Sequence, residues 1–181
     1  SGPNLTEIDL WADASASVGP VSVTAGVLRM TFPNEAVFTP GYNTTDVYAR
    51  VGLPTVPLAP RLSVNYDVDK VQGAYVEGAV SHAVPVSGFP VTVGVLAGWS
   101  SGQARVEGSD EGYYFAEDGL THVDAWISTA FLAGPLRLAP VAHVVFGHDE
   151  LTRTVSPARS EDVKVWLGVS AGWSTPLARR R

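Results

Sequence analysis

The sequence contains no cysteine. That excludes a disulfide framework and thiolate metal sites, but not a location outside the cytoplasm. No apolar run approaches the ~20 residues of a transmembrane helix. Positive charge is in deficit. The formal net charge is −6, which gives no reason to expect nucleic acid as a partner. Windows rich in Leu, Lys and Glu are scarce, which argues against helices. Ser1-Gly-Pro-Asn4 is polar, so no export signal opens the sequence as it stands. The 4 histidines are scattered at His82, His122, His143 and His148 with no close ligand spacing. The acids between Glu107 and Asp118 lack the ordered spacing of a calcium loop. No metal or cofactor is expected.

What is present is glycine, proline and alternation. The 181 residues are 45% hydrophobic, with 18 Gly and 13 Pro, enough for one sizeable domain with many turns. Near the C-terminus Val163, Val165, Leu167, Val169, Ala171 and Trp173 alternate with Lys164, Trp166, Gly168, Ser170 and Gly172. Successive side chains of a strand point to opposite faces, so this segment has one apolar face and one small or polar face. Its length is close to the roughly 9–11 residues that a tilted strand needs to cross a bilayer.

The same pattern recurs along the chain. It predicts strands over 7–18, 21–32, 45–53, 62–68, 74–84, 91–99, 123–131, 136–146 and 163–173. In the segment 74–84, Tyr75, Glu77, Ala79 and Ser81 are assigned inward, and His82 falls on the outer face. Pro85–Pro90 reads as a turn, and Pro140 marks a bulge or a break in the ladder. Connections alternate between short turns and mostly longer loops, the asymmetry of outer-membrane barrels. The expected fold is all-β: an antiparallel up-and-down transmembrane β-barrel of about nine strands. Residues 1–174 form the barrel domain and 175–181 a tail. Single-chain bacterial barrels have an even strand number, so strands are expected to precede Ser1, in a barrel of about 10 or 12.

Three stretches carry a resemblance: Asn4-Leu-Thr-Glu-Ile-Asp-Leu-Trp11, Leu62-Ser-Val-Asn-Tyr-Asp-Val-Asp69 with Ala74-Tyr-Val-Glu-Gly-Ala-Val-Ser-His82, and the final strand. With these the chain resembles the small bacterial outer-membrane porins of the TorF type. The resemblance implies a bacterial outer-membrane location and at most a generic pore. Ser174–Arg181, which extends past Trp173, departs from that family's pattern.

With the apolar face toward lipid, Asp9, Asp13, Asp46, Arg50, Arg61, Asp67, Glu77, His122, Asp124, Arg137, His143 and Lys164 line the interior. A hydrated interior of mixed charge passes small polar solutes with weak selectivity, unless those charges pair across it and close it. Trp99, Phe131, Phe146 and Trp173 fall at strand ends, where membrane-interface aromatics belong. The expected partners are the lipid bilayer and small polar solutes.

No enzyme activity is expected. One alternative is a protease of the omptin type, built from Asp67-Val-Asp69 facing His122-Val-Asp124, in which paired carboxylates and a His–Asp pair activate water. The second pair runs in the reverse of that family's order. Two further alternatives are a soluble calycin-like barrel with its apolar face around a small apolar ligand, and a barrel subunit covered by a larger assembly. Alternation alone does not say which face points inward.

Overall fold

The structure, a computed structural model, describes residues 8–33, 43–104, 114–149, 154–156, 159–160 and 162–173. Ten strands form one antiparallel sheet: β1 (Ile8–Val18), β2 (Val21–Thr31), β3 (Thr44–Gly52), β4 (Arg61–Asp67), β5 (Ala74–Val86), β6 (Phe89–Ser101), β7 (Gly119–Thr129), β8 (Phe131–Ala133), β9 (Leu136–Gly147) and β12 (Val163–Trp173). Each long strand pairs with its neighbour in sequence, in the order β1-β2-β3-β4-β5-β6-β7-β9-β12. No helix occurs among the described residues. A separate short hairpin, β10 (Thr154–Ser156) with β11 (Arg159–Ser160), lies within the connection that the sequence marks only as a loop. The acidic stretch 105–113 and the C-terminal tail lie outside the described residues.

One end of the sheet carries tight turns. Val18 pairs with Val21 around Gly19-Pro20, Val86 with Phe89 around Ser87-Gly88, and Ala133 with Leu136 around Gly134-Pro135. Gly19, Gly88 and Gly134 all have positive φ, the left-handed conformation that two-residue hairpin turns require and that glycine adopts without steric cost. The turn assigned to Pro85–Pro90 is therefore shorter than expected. Pro85 and Pro90 face each other within the ladder, and only Ser87 and Gly88 turn the chain.

Pro140 interrupts the ladder on one side of β9, which itself runs unbroken from Leu136 to Gly147. The β7–β9 ladder stops at Ser128↔Val141 and resumes in unchanged register as β8 at Phe131↔Leu138. Pro140 has no N–H to donate, so the rungs between are lost. Thr129 turns its hydroxyl to the Pro90 carbonyl instead, at 2.8 Å. On the exposed face the gap leaves an apolar recess of about 390 Å³ bordered by Val91, Ile127, Pro140, Leu167 and Val169. A second irregularity is a bulge between Gly98 and Trp99, where Thr121 is the extra residue of β7.

The strands are staggered. A row of paired residues leaves β1 at Ser17, near its turn, and runs through Gly52, Ala79 and Asp124 to Lys164, near the loop end of β12. Tilted strands with such a shear are what a barrel needs. Among the described residues β1 and β12 are the two ends of the sheet and are not hydrogen-bonded to each other.

The two faces are inverted relative to a water-soluble sheet. Among the described residues the largest fully buried side chains are Thr44, Thr121, Asp67, Asp149 and Ser100, and only Tyr48 and Ala79 represent buried hydrophobic residues. Val23, Val47, Val51, Val80, Val93, Val95, Ile127, Val165, Leu167 and Val169 are exposed. The face with the buried polar groups is called inner below.

Candidate functional site: the polar inner face

The strand alternation puts all twelve predicted lining residues on the inner face. They do not form one cluster. Asp46 and Asp67 are direct cross-strand partners at the loop end. Asp67 is fully buried. It accepts hydrogen bonds from the Thr44 hydroxyl (2.8 Å), the Tyr114 phenol (2.9 Å) and the backbone amides of Asp69 (2.8 Å) and Lys70 (2.9 Å). These bonds stabilise the ionised carboxylate. Asp46 Oδ1 is buried without a hydrogen-bond partner in the protein.

Tyr114 comes from the β6–β7 connection, of which residues 114–118 lie against the loop end. Its backbone amide donates to Gln103 O at 3.1 Å, and Gln103 Nε2 donates to Gly73 O at 3.3 Å. The amides of Ala116 and Glu117 donate to Asp149 Oδ2 at 2.9 and 3.1 Å. Burial, and then the hydrogen bond to Asp67, push the Tyr114 phenol well above its ordinary pKa. It stays protonated and keeps donating to Asp67. The sequence offers no periodic signal for this latch, because its residues lie outside the strand pattern.

Two aromatic stacks cross the inner face. Phe115, Tyr75 and His122 are nearly parallel, with ring centroids 5.7 and 6.4 Å apart. Trp126, His143 and Trp166 form the second, on three neighbouring strands in direct register. The His143 and Trp166 rings lie 3.8 Å apart at 9°. His143 Nδ1 meets Asp124 Oδ2 at 2.6 Å, with both side chains largely buried. Glycine makes room for the rings. A Cβ at Gly94 would collide with the Trp126 ring, one at Gly26 with Tyr48, and one at Gly98 with Tyr75. Tyr48 crosses over Gly26 to donate its hydroxyl to Asp13 at 2.8 Å.

The protease geometry does not form. The strand ends at Asp67, and Asp69 leaves the inner face. It pairs with Arg29 at 3.1 Å, both side chains 42% exposed. The two acids that strand periodicity places on one face are thus separated, and Asp67 is saturated with donors. The sequence reading missed Arg29 as well. Its guanidinium also donates to Thr45 at 2.8 Å.

Glu77 accepts from Ser63 (3.3 Å) and Tyr75 (3.2 Å). Arg50 and Arg61 are exposed near the turn end, with the Arg50 guanidinium 4.5 Å over the Tyr48 ring. Arg137 is exposed and Lys164 is half-buried. Asp9 and Asp13 lie on β1, which is exposed along its whole length. Among the described residues no group of His, Asp and Glu is arranged to hold a metal ion.

On the outer face Trp99, Phe131, Phe146 and Trp173 are all exposed at strand ends. Tyr66 joins Trp99 and Phe146 at the loop end, and Phe89 joins Phe131 and Trp173 at the turn end. His82 is exposed, on the outer face as expected. Comparison of the chain with protein-family models, with curated proteins and with solved structures finds no match.

Proposed function

We propose that the protein is an outer-membrane β-barrel that forms a narrow pore for small polar solutes. The observation that carries this is the inversion of its faces. Valines, leucines and isoleucines line the outside of nearly every strand, while aspartates, threonines and serines are buried within. Exposing so much contiguous apolar surface to water is unfavourable by roughly 25 cal/mol per Å², and large exposed patches mark a membrane or protein contact. Aromatics at both strand ends suit the two bilayer interfaces. The strands of 11–13 residues in β1, β2, β5, β6, β7 and β12 are long enough to span.

The inner face suits water. Asp46 Oδ1, Ser100 Oγ, Gln103 Oε1 and Asp124 Oδ1 have no protein partner, and each such atom costs about 1–3 kcal/mol in a dry environment. A hydrated interior relieves that cost. The calycin-like alternative needs the valines around a dry centre, and nothing on the inner face favours it. In a bilayer both sheet edges must be paired, so β1 and β12 each need a strand partner, supplied by one another or by further strands. The TorF-type resemblance rests on the three stretches quoted above and accords with this function.

The test is whether the purified chain needs detergent and whether it migrates in SDS as a compact species until heated. Both are expected of a folded membrane barrel. A monodisperse chain in plain buffer would refute the proposal.

A further inference from the structure

Charge on the inner face is divided along the strands. Asp9, Asp46, Asp67 and Glu77 lie toward the loop ends, and Asp13 and Asp124 lie midway. The turn end is different. Neither the three residues of each strand nearest the turns nor the turns Gly19-Pro20, 53–60, Ser87-Gly88 and Gly134-Pro135 contain an acid. That end carries three arginines on the inner face: Arg50, Arg61 and Arg137.

Two of them share a recess. A cavity of about 300 Å³ at the turn ends of β2–β5 is lined by Arg50 and Arg61, by the hydroxyl residues Ser22, Thr24 and Ser81, and by apolar residues of the 53–60 turn. Gly52 pairs with Arg61, so Arg50, two residues before Gly52, is the diagonal neighbour of Arg61 on the same face, within reach of long side chains. No carboxylate lies within salt-bridge distance of either guanidinium among the described residues. The nearest inner acid by register is Glu77, and it is engaged by Ser63 and Tyr75. Arg50 is steadied by the Tyr48 ring, itself tethered to Asp13. Ser22 directs its hydroxyl to the Gly52 carbonyl at 3.3 Å, which leaves its oxygen lone pairs free while its proton is used.

We infer that the Arg50–Arg61 recess binds a small oxyanion of the phosphate class at the turn end of the inner face. Two adjacent guanidinium groups repel each other unless an anion sits between them. Guanidinium binds phosphate oxygens through paired N–H donors, and the Ser81 hydroxyl is a further candidate donor; the Thr24 hydroxyl is shared with Ser15 at 2.8 Å, where either one donates. The site rests on the proposed hydrated interior for access, but not on conduction.

The test is calorimetric titration of inorganic phosphate into the full chain folded in a neutral detergent. Saturable binding that weakens with added sodium chloride is expected. Arg50→Gln and Arg61→Gln should each weaken it on the order of tenfold or more, and Arg50→Lys by less, since it keeps the charge and loses the fork. Arg137→Gln, at the same end but outside the recess, should leave binding unchanged. If a glutamine variant loses the heat-dependent shift in SDS migration, Ser81→Ala replaces it and should weaken binding measurably. Absence of saturable phosphate binding, or equal losses in Arg137→Gln, would overturn the site. Phosphate binding equal in phosphatidylcholine and phosphatidylglycerol nanodiscs identifies a soluble ligand. Displacement of phosphate by phosphatidylglycerol identifies a lipid headgroup and overturns the inference. A folded, detergent-dependent chain that ignores phosphate sinks this site alone, whereas a chain soluble without detergent sinks the membrane proposal, and saturable phosphate binding lost in Arg50→Gln and Arg61→Gln then still supports the site.

Discussion

Gly94→Ala is the most discriminating single substitution in the sheet. Gly94 and Trp126 are paired across β6 and β7, and a Cβ on residue 94 would occupy the space of the indole ring. A clash with a rigid ring cannot be relieved by a small side-chain shift. Trp126 would have to leave, and with it the stack onto His143 at 6.3 Å. Overpacking costs about 1–3 kcal/mol, and loss of aromatic packing about 0.5–1.5 kcal/mol more. Alanine's conformational advantage over glycine returns roughly 0.5–1 kcal/mol. The net expectation is destabilisation by about 0.5–4 kcal/mol. Gly78 is the internal control, because a Cβ there meets nothing within 4 Å; Gly78→Ala should be neutral or stabilising. Urea titration of the detergent-folded protein, followed by tryptophan fluorescence, measures both. In a Trp126→Ala background the cost of Gly94→Ala should vanish, a coupling that a double-mutant cycle isolates. An unchanged cost in that background would refute the packing explanation.

Asp67→Asn removes the charge that four donors share, and should cost roughly 2–4 kcal/mol in the same titration. Asp69→Asn, which breaks only the exposed pair with Arg29, should cost no more than about 1 kcal/mol. Tyr114→Phe should loosen the latch at the loop end, seen as faster amide exchange at Gln103 and Ala116 with little change in global stability. Leu167→Lys, on the outer face, should hinder folding into liposomes by roughly 2–4 kcal/mol, while Ser170→Lys, on the inner face of the same strand, should be tolerated.

Much of the fold is legible in the sequence, because strand periodicity is local. Val163–Trp173 alternates without interruption and forms β12 over those residues. Pro140 announces the broken ladder of β9. Other features depend on partners that no local pattern names. Pro85 and Pro90 look like turn residues, yet they face each other in the ladder, because Ser87-Gly88 supplies a tighter turn. Asp69 follows Asp67 by two residues, but periodicity ends with the strand and Arg29 draws it outward. The glycines beneath Trp126, Tyr48 and Tyr75 become meaningful only once register is known. The Tyr114 latch lies wholly outside the strand pattern. Alternation equally left open which face is the enclosed one, and the buried Asp67, Thr44 and Thr121 lie on the polar face.

The absence of native cysteine permits a direct measurement of facing. Single cysteines at Val165, Leu167 and Val169, and at Lys164, Gly168 and Ser170, are introduced one at a time into β12 and the protein is folded into liposomes. Labelling with an environment-sensitive fluorophore should give blue-shifted emission, quenched by brominated lipid, at the first three positions, and water-like emission at the other three. Water-like emission at Val165, Leu167 and Val169 would contradict the outward orientation of the apolar face.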